Sequence, residues 1–208
     1  PMAETIATTI DLLRHGECEG GAIFRGHLDV ALAEAGLARM QACAGTQCGW
    51  QRIVASPLRR CRFFAEWLAA ERGLPLTLDD RLREIDFGRW EGREIAAVWA
   101  EEAEAAQAWF DDPERHGPPG GETLAALRER ARAAFDEVVR THAGSHVVLV
   151  THGGWIRALL ADLLTMPGAA MHRLDVPYAC LSRLRVVRDG RHSLCQLVAH
   201  NIDAGMSR

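Results

Sequence analysis

The sequence predicts an α/β protein with three layers, in which helices cover both faces of a mostly parallel sheet. Short apolar runs rich in β-branched residues alternate with segments whose apolar residues recur at helical spacing. A length of 208 residues and a hydrophobic content of 48% suit one globular core. We therefore expect a single domain over residues 1–208, with a core from about residue 9 to residue 200 and flexible ends at residues 1–5 and 203–208.

The predicted strands are short apolar or alternating runs bounded by turn residues: Thr8–Leu13, Arg52–Ala55, His146–Val150, Ser182–Val187 and Ser193–Ala199. The turn signal Arg188-Asp189-Gly190 predicts that the last two strands form an antiparallel pair at an edge. The predicted helices follow from apolar residues that share one face: Leu32–Cys43, Leu58–Arg72, Arg93–Trp109, Glu122–Arg140 and Trp155–Leu164.

Composition limits the classes of partner. A net charge of −4 argues against a general nucleic-acid binder, and no apolar run approaches the length of a membrane span. The amino-terminal residues lack a basic region followed by an apolar stretch, so we expect no secretory signal. The 6 cysteines contain no Cys-x-x-Cys pair, which favours reduced thiols in the cytoplasm. We expect no nucleic-acid or membrane partner, and a homodimer is left open.

Two histidines follow predicted strands at matching places. His15 follows the first strand and His152 follows the third, so both imidazoles are expected at the carboxyl edge of the sheet, where open α/β sheets bind ligands. Arg14 precedes the first histidine, and Gly153 and Gly154 follow the second, which favours an anion and in particular phosphate as a shared ligand. The alternative is two unrelated histidines at separate strand ends.

A cluster of arginines begins the second predicted helix. Ser56 is the expected N-cap and Pro57 the first helical residue. Arg59, Arg60 and Arg62 crowd the first turn, where cations oppose the helix dipole unless an anion binds there. The alternative is a solvated basic turn.

The segment from Leu82 to Gly92 breaks both strand and helix periods and is expected to be an ordered loop. It carries three acids, Glu84, Asp86 and Glu91. The leaving group of a phosphoester needs a proton, which a partly buried carboxyl with a raised pKa supplies near neutral pH. The residue pattern does not select one of the three, and a solvated side chain is the alternative for each.

Together these segments provide a nucleophile, an anion clamp and an acid for phosphoryl transfer. Histidine accepts a phosphoryl group covalently and passes it to water, and arginines with a helix N-terminus supply charge stabilisation. No His-Glu-x-x-His or clustered Asp/His spacing is present, so no metal or other cofactor is expected. A zinc or two-metal site is the less favoured alternative.

Five motifs occur in a fixed order: Arg14-His15-Gly16-Glu17, Ser56-Pro57-Leu58-x-Arg60, Leu82-x-Glu84-x-x-Phe87-Gly88-x-Trp90-Glu91-Gly92, Gly120-Gly121-Glu122-Thr123 and Val150-Thr151-His152-Gly153-Gly154. With these motifs the chain resembles the histidine phosphatase superfamily, also called phosphoglycerate mutase-like. The resemblance implies a small phosphorylated metabolite as substrate.

The resemblance also assigns roles to residues. His15 is expected to be phosphorylated, with His152 as a second catalytic histidine and Glu84 as the proton donor. The phosphoryl group is expected to be held by a set of four residues: Arg14, Arg60, His152 and Gly153. The remaining substrate contacts are expected from three residues near the amino end: Glu17, Arg25 and Gly26.

Weaker marks concern the subfamily. The short interval between the acid loop and the Gly-Gly-Glu motif differs from the long insertion of cofactor-dependent mutases, so water is the expected acceptor. The segments Ala158–Pro167 and Arg25–Asp29 resemble α-ribazole phosphatases, which remove a 5′-phosphate during cobalamin assembly. Cys18 stands where Ser or Thr is usual, and Gly21 stands where many members have Asn. A broad-specificity phosphatase, a mutase-like enzyme and a non-catalytic phospho-ligand binder are the alternatives.

The alcohol part of the substrate is expected to contact the variable segment Arg89–Gly121 and the stretch near His172. Aromatic side chains in that variable segment are candidates to stack on a benzimidazole, and ordinary helix packing is the alternative for each of them: Trp90, Trp99, Trp109 and Phe110.

Overall fold

The computed structural model describes residues 5–190 and 192–202 and is built around a six-stranded mixed sheet. The strands are β1 (Ile6–Arg14), β2 (Arg52–Ala55), β3 (Leu76–Leu78), β4 (His146–Thr151), β5 (Leu181–Asp189) and β6 (His192–Ile202). Their order across the sheet is β3-β2-β4-β1-β5-β6, in which the first four are mutually parallel and the last two are antiparallel. The α/β fold class and the antiparallel edge pair are confirmed.

The α-helices of the described residues are α1 (Glu34–Gly45), α2 (Arg59–Arg72), α3 (Ile95–Glu101), α4 (Ala103–Asp111), α5 (Leu124–Thr141) and α6 (Gly153–Leu163). In residues 5–190 and 192–202, no helix has the length and apolar character to cross a bilayer. The ends that we expect to be flexible lie outside the described residues, apart from Thr5. The single-domain assignment stays a prediction.

Two elements differ from the sequence prediction. The helix predicted over Arg93–Trp109 is two helices, α3 and α4, because the chain leaves helical geometry at Glu102 (φ −128°, ψ 41°). The Glu102 carboxylate accepts a hydrogen bond from Trp90 Nε1 at 3.1 Å and pairs with Arg93, and these contacts accompany the break. The strand β3 was not predicted, since its three residues are too few to show an alternating pattern.

The sheet is covered on both faces, as the nearly continuous apolar sequence of β4 predicts. Val147 and Leu149 pack into a cluster with helices α5 and α6. Val148 and Val150, which point to the other face, pack into a second cluster with α1 and α2. This arrangement confirms the three layers and leaves the strand ends as the place where polar side chains gather.

A buried carboxylate joins β1, β4 and β5 in the middle of the sheet. Asp11 is fully buried and accepts hydrogen bonds from Arg183 Nε at 2.8 Å, His146 Nε2 at 2.9 Å and Trp50 Nε1 at 2.7 Å. Burial opposes the charge on Asp11, but the hydrogen bonds from Arg183, His146 and Trp50 hold the pKa of this carboxyl below its ordinary value of 3.8. Asp11 therefore stabilises the fold in its charged form.

We expect Asp11→Asn to lower the free energy of unfolding by about 3 kcal/mol near neutral pH, because Arg183 and His146 lose a buried anionic partner. A carboxyl whose pKa is lowered by folding stabilises the protein above its unfolded-state pKa and loses that contribution as the pH falls through the folded value. The difference between wild type and Asp11→Asn should therefore shrink in urea titrations below about pH 4.

The exposed Arg185, which lies on β5 like Arg183, supplies the control. We expect Arg185→Gln to change the free energy of unfolding by less than about 0.5 kcal/mol. A stability difference for Asp11→Asn that is the same at neutral and acid pH would contradict the assigned role.

Candidate active site

The two strand-end histidines lie side by side. β1 and β4 are parallel neighbours whose register pairs Arg14 with Thr151, so the next residue of each strand extends from the same edge. The backbone N–H of His15 donates to Thr151 O at 3.0 Å, and the rings of His15 and His152 are 5.3 Å apart between centroids. The structure thus brings together the two residues that the strand-end argument places at one edge.

His15 has one free ring nitrogen. Its Nδ1 lies 2.8 Å from Gly16 O, and since a carbonyl only accepts, Nδ1 carries the proton and Nε2 carries a lone pair. Burial lowers the pKa of His15 well below its ordinary value of 6.5, and the charges of Arg60 and Arg14 lower it further. A neutral imidazole with an available lone pair is the form that acts as a nucleophile.

Three arginines next to His15 have a buried hydrogen-bond donor without an acceptor. The Nε atoms of Arg14, Arg25 and Arg60 are buried and find no partner among the described residues. At least one terminal nitrogen of each is anchored on a backbone carbonyl, for example Arg14 on Val176 O at 2.6 Å and Arg60 on Gly26 O at 2.7 Å. Buried unpaired donors are rare and costly, so this cluster is suited to bind an anion.

The arginine-rich start of α2 is divided between the site and solvent. Arg60 is fully buried, whereas Arg59 and Arg62 are exposed, and Arg62 pairs with Glu66 at 2.7 Å. The sequence did not indicate the role of Asp29, whose Oδ1 accepts from the backbone N–H of Arg59 at 2.7 Å and so caps the helix from a distant loop.

The expectation that Ser56 caps α2 is wrong. The helix begins at Arg59 and Leu58 occupies the N-cap position. Ser56 is fully buried, and its hydroxyl lies 2.8 Å from Nε2 of His152 and accepts from the backbone N–H of Leu58 at 3.3 Å, one position before the helix begins. Burial, followed by the charges of Arg60 and the neighbouring His15, holds the pKa of His152 well below 6.5. His152 is therefore a neutral ring fixed by Ser56.

Of the three acids in the loop, only Glu84 lines the cavity. Asp86 Oδ1 accepts from the backbone N–H of Gly88 at 2.8 Å, and Glu91 Oε1 accepts from the backbone N–H of His27 at 2.7 Å. Asp86 and Glu91 thus hold the loop in shape. Glu84 is therefore the acid of this loop that is in a position to meet a ligand in the cavity.

The start of α6 fixes the Glu84 carboxylate. Its Oε2 accepts from the backbone N–H of Gly154 at 3.0 Å, and its Oε1 accepts from that of Trp155 at 3.0 Å. A Cβ atom at position 154 would lie 2.6 Å from Oε1, so glycine is needed for this close approach. Glu84, the start of α6 and His15 therefore surround one space.

That space is a cavity of about 210 Å³. Arg25 and Gly26, which were expected at the site, line it, and so does Gly153. Glu17 does not: its side chain is exposed, and its backbone carbonyl accepts from Ala33 at 2.9 Å near the start of α1. Arg60 and His152 are fully buried next to His15 and do not line the cavity.

The expected aromatic contacts are mostly absent from the cavity wall. Trp109 lines the cavity. Trp90 is fully buried in a separate apolar cluster, and Trp99 and Phe110 are exposed and contact each other with ring centroids 6.3 Å apart. The stretch near His172 does reach the cavity, since the His172 side chain lines it.

The two departures from the motif pattern lie beside the site. Cys18 Sγ is 3.4 Å from Nδ1 of His15, and burial raises the pKa of this thiol, so it contacts the ring as a neutral group. Gly21 is exposed with φ +73°, and its carbonyl accepts a hydrogen bond from Arg25. Cys18 and Gly21 therefore contact His15 and Arg25, respectively, but do not line the cavity themselves.

Two residues that the motifs did not indicate also contact the site. Tyr178, the only tyrosine in the chain, lies 5.8 Å from the His15 ring, and the Arg14 guanidinium carbon lies 4.2 Å above its ring. Arg157 lines the cavity from α6. Tyr178 precedes β5 in a segment without periodicity, and Arg157 sits in an ordinary helical pattern, so neither had a sequence signal.

Within the described ranges, no group of three or more His, Cys, Asp or Glu side chains could hold a metal ion.

Comparison with known proteins identifies similar sequences and structures. The profile of the histidine phosphatase superfamily (branch 1) matches residues 10–201. A glucosyl-3-phosphoglycerate phosphatase from Mycolicibacterium vanbaalenii is 39% identical over 169 residues, covering 75% of this chain and 74% of that protein. The chain spans 52% of the length of another relative, bifunctional protein Rv2228c from Mycobacterium tuberculosis, which is 32% identical over 90% of this chain.

Two solved structures are also similar over nearly the whole chain. The native mycobacterial glucosyl-3-phosphoglycerate phosphatase Rv2419c superimposes with a TM-score of 0.84 at 32% identity, covering 95% of this chain and 100% of that one. The α-ribazole phosphatase from Shigella flexneri superimposes with a TM-score of 0.79 at 25% identity, covering 96% of this chain and 100% of that one.

The charge arrangement around His15 predicts a response to inorganic phosphate. In NMR titrations the His15 ring should stay neutral at pH 7 and titrate below 6.5, because burial, Arg60 and Arg14 oppose its protonation. Saturating phosphate should raise the pKa of His15, since an anion offsets those two cations. Resonances of the exposed His192 should not respond to phosphate. No change at His15 would contradict an anion site there.

Proposed function

Because the chain belongs to branch 1 of the histidine phosphatase superfamily, we propose that it hydrolyses a small phosphorylated metabolite through a phosphohistidine formed at His15. Phosphatase activity follows from the superfamily and from its phosphatase relatives. The observation that carries the His15 assignment is a buried neutral imidazole with a free Nε2, surrounded by arginine Nε atoms that lack acceptors. This is the arrangement needed for attack on a bound phosphate ester.

In the first step, Nε2 of His15 attacks phosphorus and forms a nitrogen–phosphorus bond as the ester oxygen–phosphorus bond breaks. Glu84 gives its proton to the departing oxygen, so the alcohol leaves neutral. The phosphoryl group is held by Arg14 and the Gly153 end of α6, which line the cavity, and by Arg60 and His152, which are buried beside His15. Arg25 and Gly26, which also line the cavity, bind the substrate at the rim of the phosphate site.

In the second step, water attacks phosphorus and the bond to His15 breaks. Glu84 takes the proton that water releases, so the acid of the first step acts as the base of the second. The products are inorganic phosphate and the original neutral His15. No step uses a metal ion, because the arginines and the helix start supply the charge stabilisation.

His15→Ala should lower kcat for any substrate by at least about 10³-fold and abolish an acid-labile, base-stable phosphoryl adduct of the wild-type protein. A matched histidine control is His116→Ala, in an exposed loop, which should keep both turnover and adduct. A chelator should leave the wild-type rate unchanged. Full activity in His15→Ala, or loss of activity that added zinc or magnesium restores, would overturn the mechanism.

Two substrates are candidates. α-Ribazole 5′-phosphate is supported by the segments Ala158–Pro167 and Arg25–Asp29, by the similar Shigella flexneri enzyme and by Trp109 in the cavity wall. Glucosyl-3-phosphoglycerate is supported by the Mycolicibacterium vanbaalenii relative and by Rv2419c. These molecules differ in one property that a protein recognises readily, since only the second carries a carboxylate.

A direct comparison of kcat/KM for the two candidates decides between them. We expect a difference of at least about tenfold, which corresponds to roughly 1.4 kcal/mol of transition-state binding. A higher kcat/KM for α-ribazole 5′-phosphate would support a role in cobalamin assembly. A lower kcat/KM for this substrate would exclude that role. Mutase activity is tested in the same experiment, because isomerisation of phosphoglycerate faster than its hydrolysis would overturn water as the acceptor.

A further inference from the structure

We propose that the cavity beyond the phosphate binds a carboxylate of the substrate at Arg157 and a hydroxyl at His172, so that the substrate is a phosphorylated hydroxy acid. The proposal rests on the proposed phosphatase function, because it concerns the alcohol that the reaction releases. Neither residue has a part in the phosphoryl-transfer steps described above.

Arg157 is a fixed cation that faces the cavity without an acidic partner. Its Nε donates to Leu174 O at 2.9 Å, which sets the plane of the guanidinium. Within residues 5–190 and 192–202, no carboxylate forms an ion pair with it. A guanidinium held in one plane with its terminal nitrogens available matches the geometry of a carboxylate.

Arg157 and Arg14 both reach the start of α6. A Cβ atom built on Gly153 would lie 3.0 Å from Arg14 Nε and 3.2 Å from Arg157 Nη1. With a phosphoryl group on Arg14, the positive charge of Arg157 is left for a second anion close to the first. A short carbon chain between phosphate and carboxylate fits this arrangement.

His172 provides an unpaired polar atom in the same cavity. Its Nε2 is buried and has no hydrogen-bond partner among the described residues. The ring is stacked on Phe110 with centroids 4.5 Å apart and meets Trp109 edge-on at 5.1 Å, so its direction is fixed. An unsatisfied ring nitrogen held at a cavity wall is suited to a polar group of the ligand.

A hydroxyl is the group that best satisfies this nitrogen. Burial lowers the pKa of His172, and the charge of Arg157 lowers it further, while a hydrogen bond to the Trp109 backbone acts in the opposite direction. A neutral imidazole nitrogen either donates or accepts, and a hydroxyl does both, whereas a carboxylate only accepts. The two positions therefore differ in what they bind: an anion at Arg157 and a hydroxyl at His172.

The test compares two esters that differ only in the group assigned to Arg157. 3-Phosphoglycerate carries a carboxylate where sn-glycerol 3-phosphate carries a hydroxymethyl group. We expect wild type to show a kcat/KM at least about tenfold higher for 3-phosphoglycerate, and Arg157→Gln to reduce the ratio to within about threefold. The ratio does not depend on the fraction of folded enzyme, so a partly unfolded variant remains informative.

The matched control is Arg132→Gln, at an exposed arginine of α5 that pairs with Asp136 at 3.0 Å, and it should keep the wild-type ratio.

A second pair of esters tests the hydroxyl position at His172. 3-Phosphoglycerate has a hydroxyl that the phosphate ester of 3-hydroxypropanoate lacks, and His172→Ala should remove the preference for the first over the second.

Three results would overturn the inference: equal kcat/KM for the first pair in wild type, an unchanged ratio in Arg157→Gln, or a loss of competitive inhibition by inorganic phosphate in Arg157→Gln as large as the change in ratio. The last result would assign Arg157 to the phosphate instead. Failure of the proposed function gives a different result, because then no ester would phosphorylate His15. Equal turnover of both esters through phospho-His15 would reject only the carboxylate position at Arg157.

Discussion

The candidate site depends on the parallel pairing of β1 with β4. The register that matches Arg14 with Thr151 gives both strands their last paired residue at the same level, so the next residues, His15 and His152, leave the sheet together. A register shifted by one residue would turn every side chain of β4 to the opposite face and separate the two rings. The apolar side chains that fix this register lie in both core clusters, so the packing of the whole sheet determines the geometry of the site.

Burial then sets the chemistry of the paired histidines. Both lie in a space with several guanidinium groups, and both burial and those charges favour the neutral rings. Among the described residues that line the cavity, Glu84 is the only one with a carboxylate to balance these cations. Arginines clustered in this way oppose folding, since desolvated like charges repel and their Nε atoms have no partner among the described residues. An anionic ligand relieves both costs at once.

The sequence predicted the three layers and the strands that end just before His15 and His152, because their apolar runs are rich in β-branched residues and clearly bounded. It could not place β3, whose three residues show no period, or the break at Glu102, which depends on contacts with Trp90 and Arg93. The selection of Glu84 over Asp86 and Glu91 came from the family motif. The local pattern could not make it, since the selection depends on which carboxyl meets the start of α6.

Side chains that reach the site from elements without a motif were beyond sequence reasoning. Tyr178 and Arg157 approach from a loop and a helix whose sequences are ordinary, and only the tertiary structure brings them to Arg14 and Gly153. Ser56 shows the opposite case, in which a residue typical of a helix cap is used elsewhere. Its hydroxyl contacts His152 and accepts from the backbone N–H of Leu58, and the N-cap position falls to Leu58, whose side chain offers no hydrogen bond.

The first turn of α6 connects the acid to the phosphoryl group. The backbone N–H groups of Gly154 and Trp155 donate to Glu84, while Gly153, one residue earlier, lines the cavity beside Arg14. One helix start therefore holds the carboxyl and faces the cavity. When a phosphate ester occupies the cavity, its negative charge and that of Glu84 face the same positive helix end. In the proposed mechanism, this one helix end must therefore serve both the phosphoryl group and the carboxyl that gives and takes the proton.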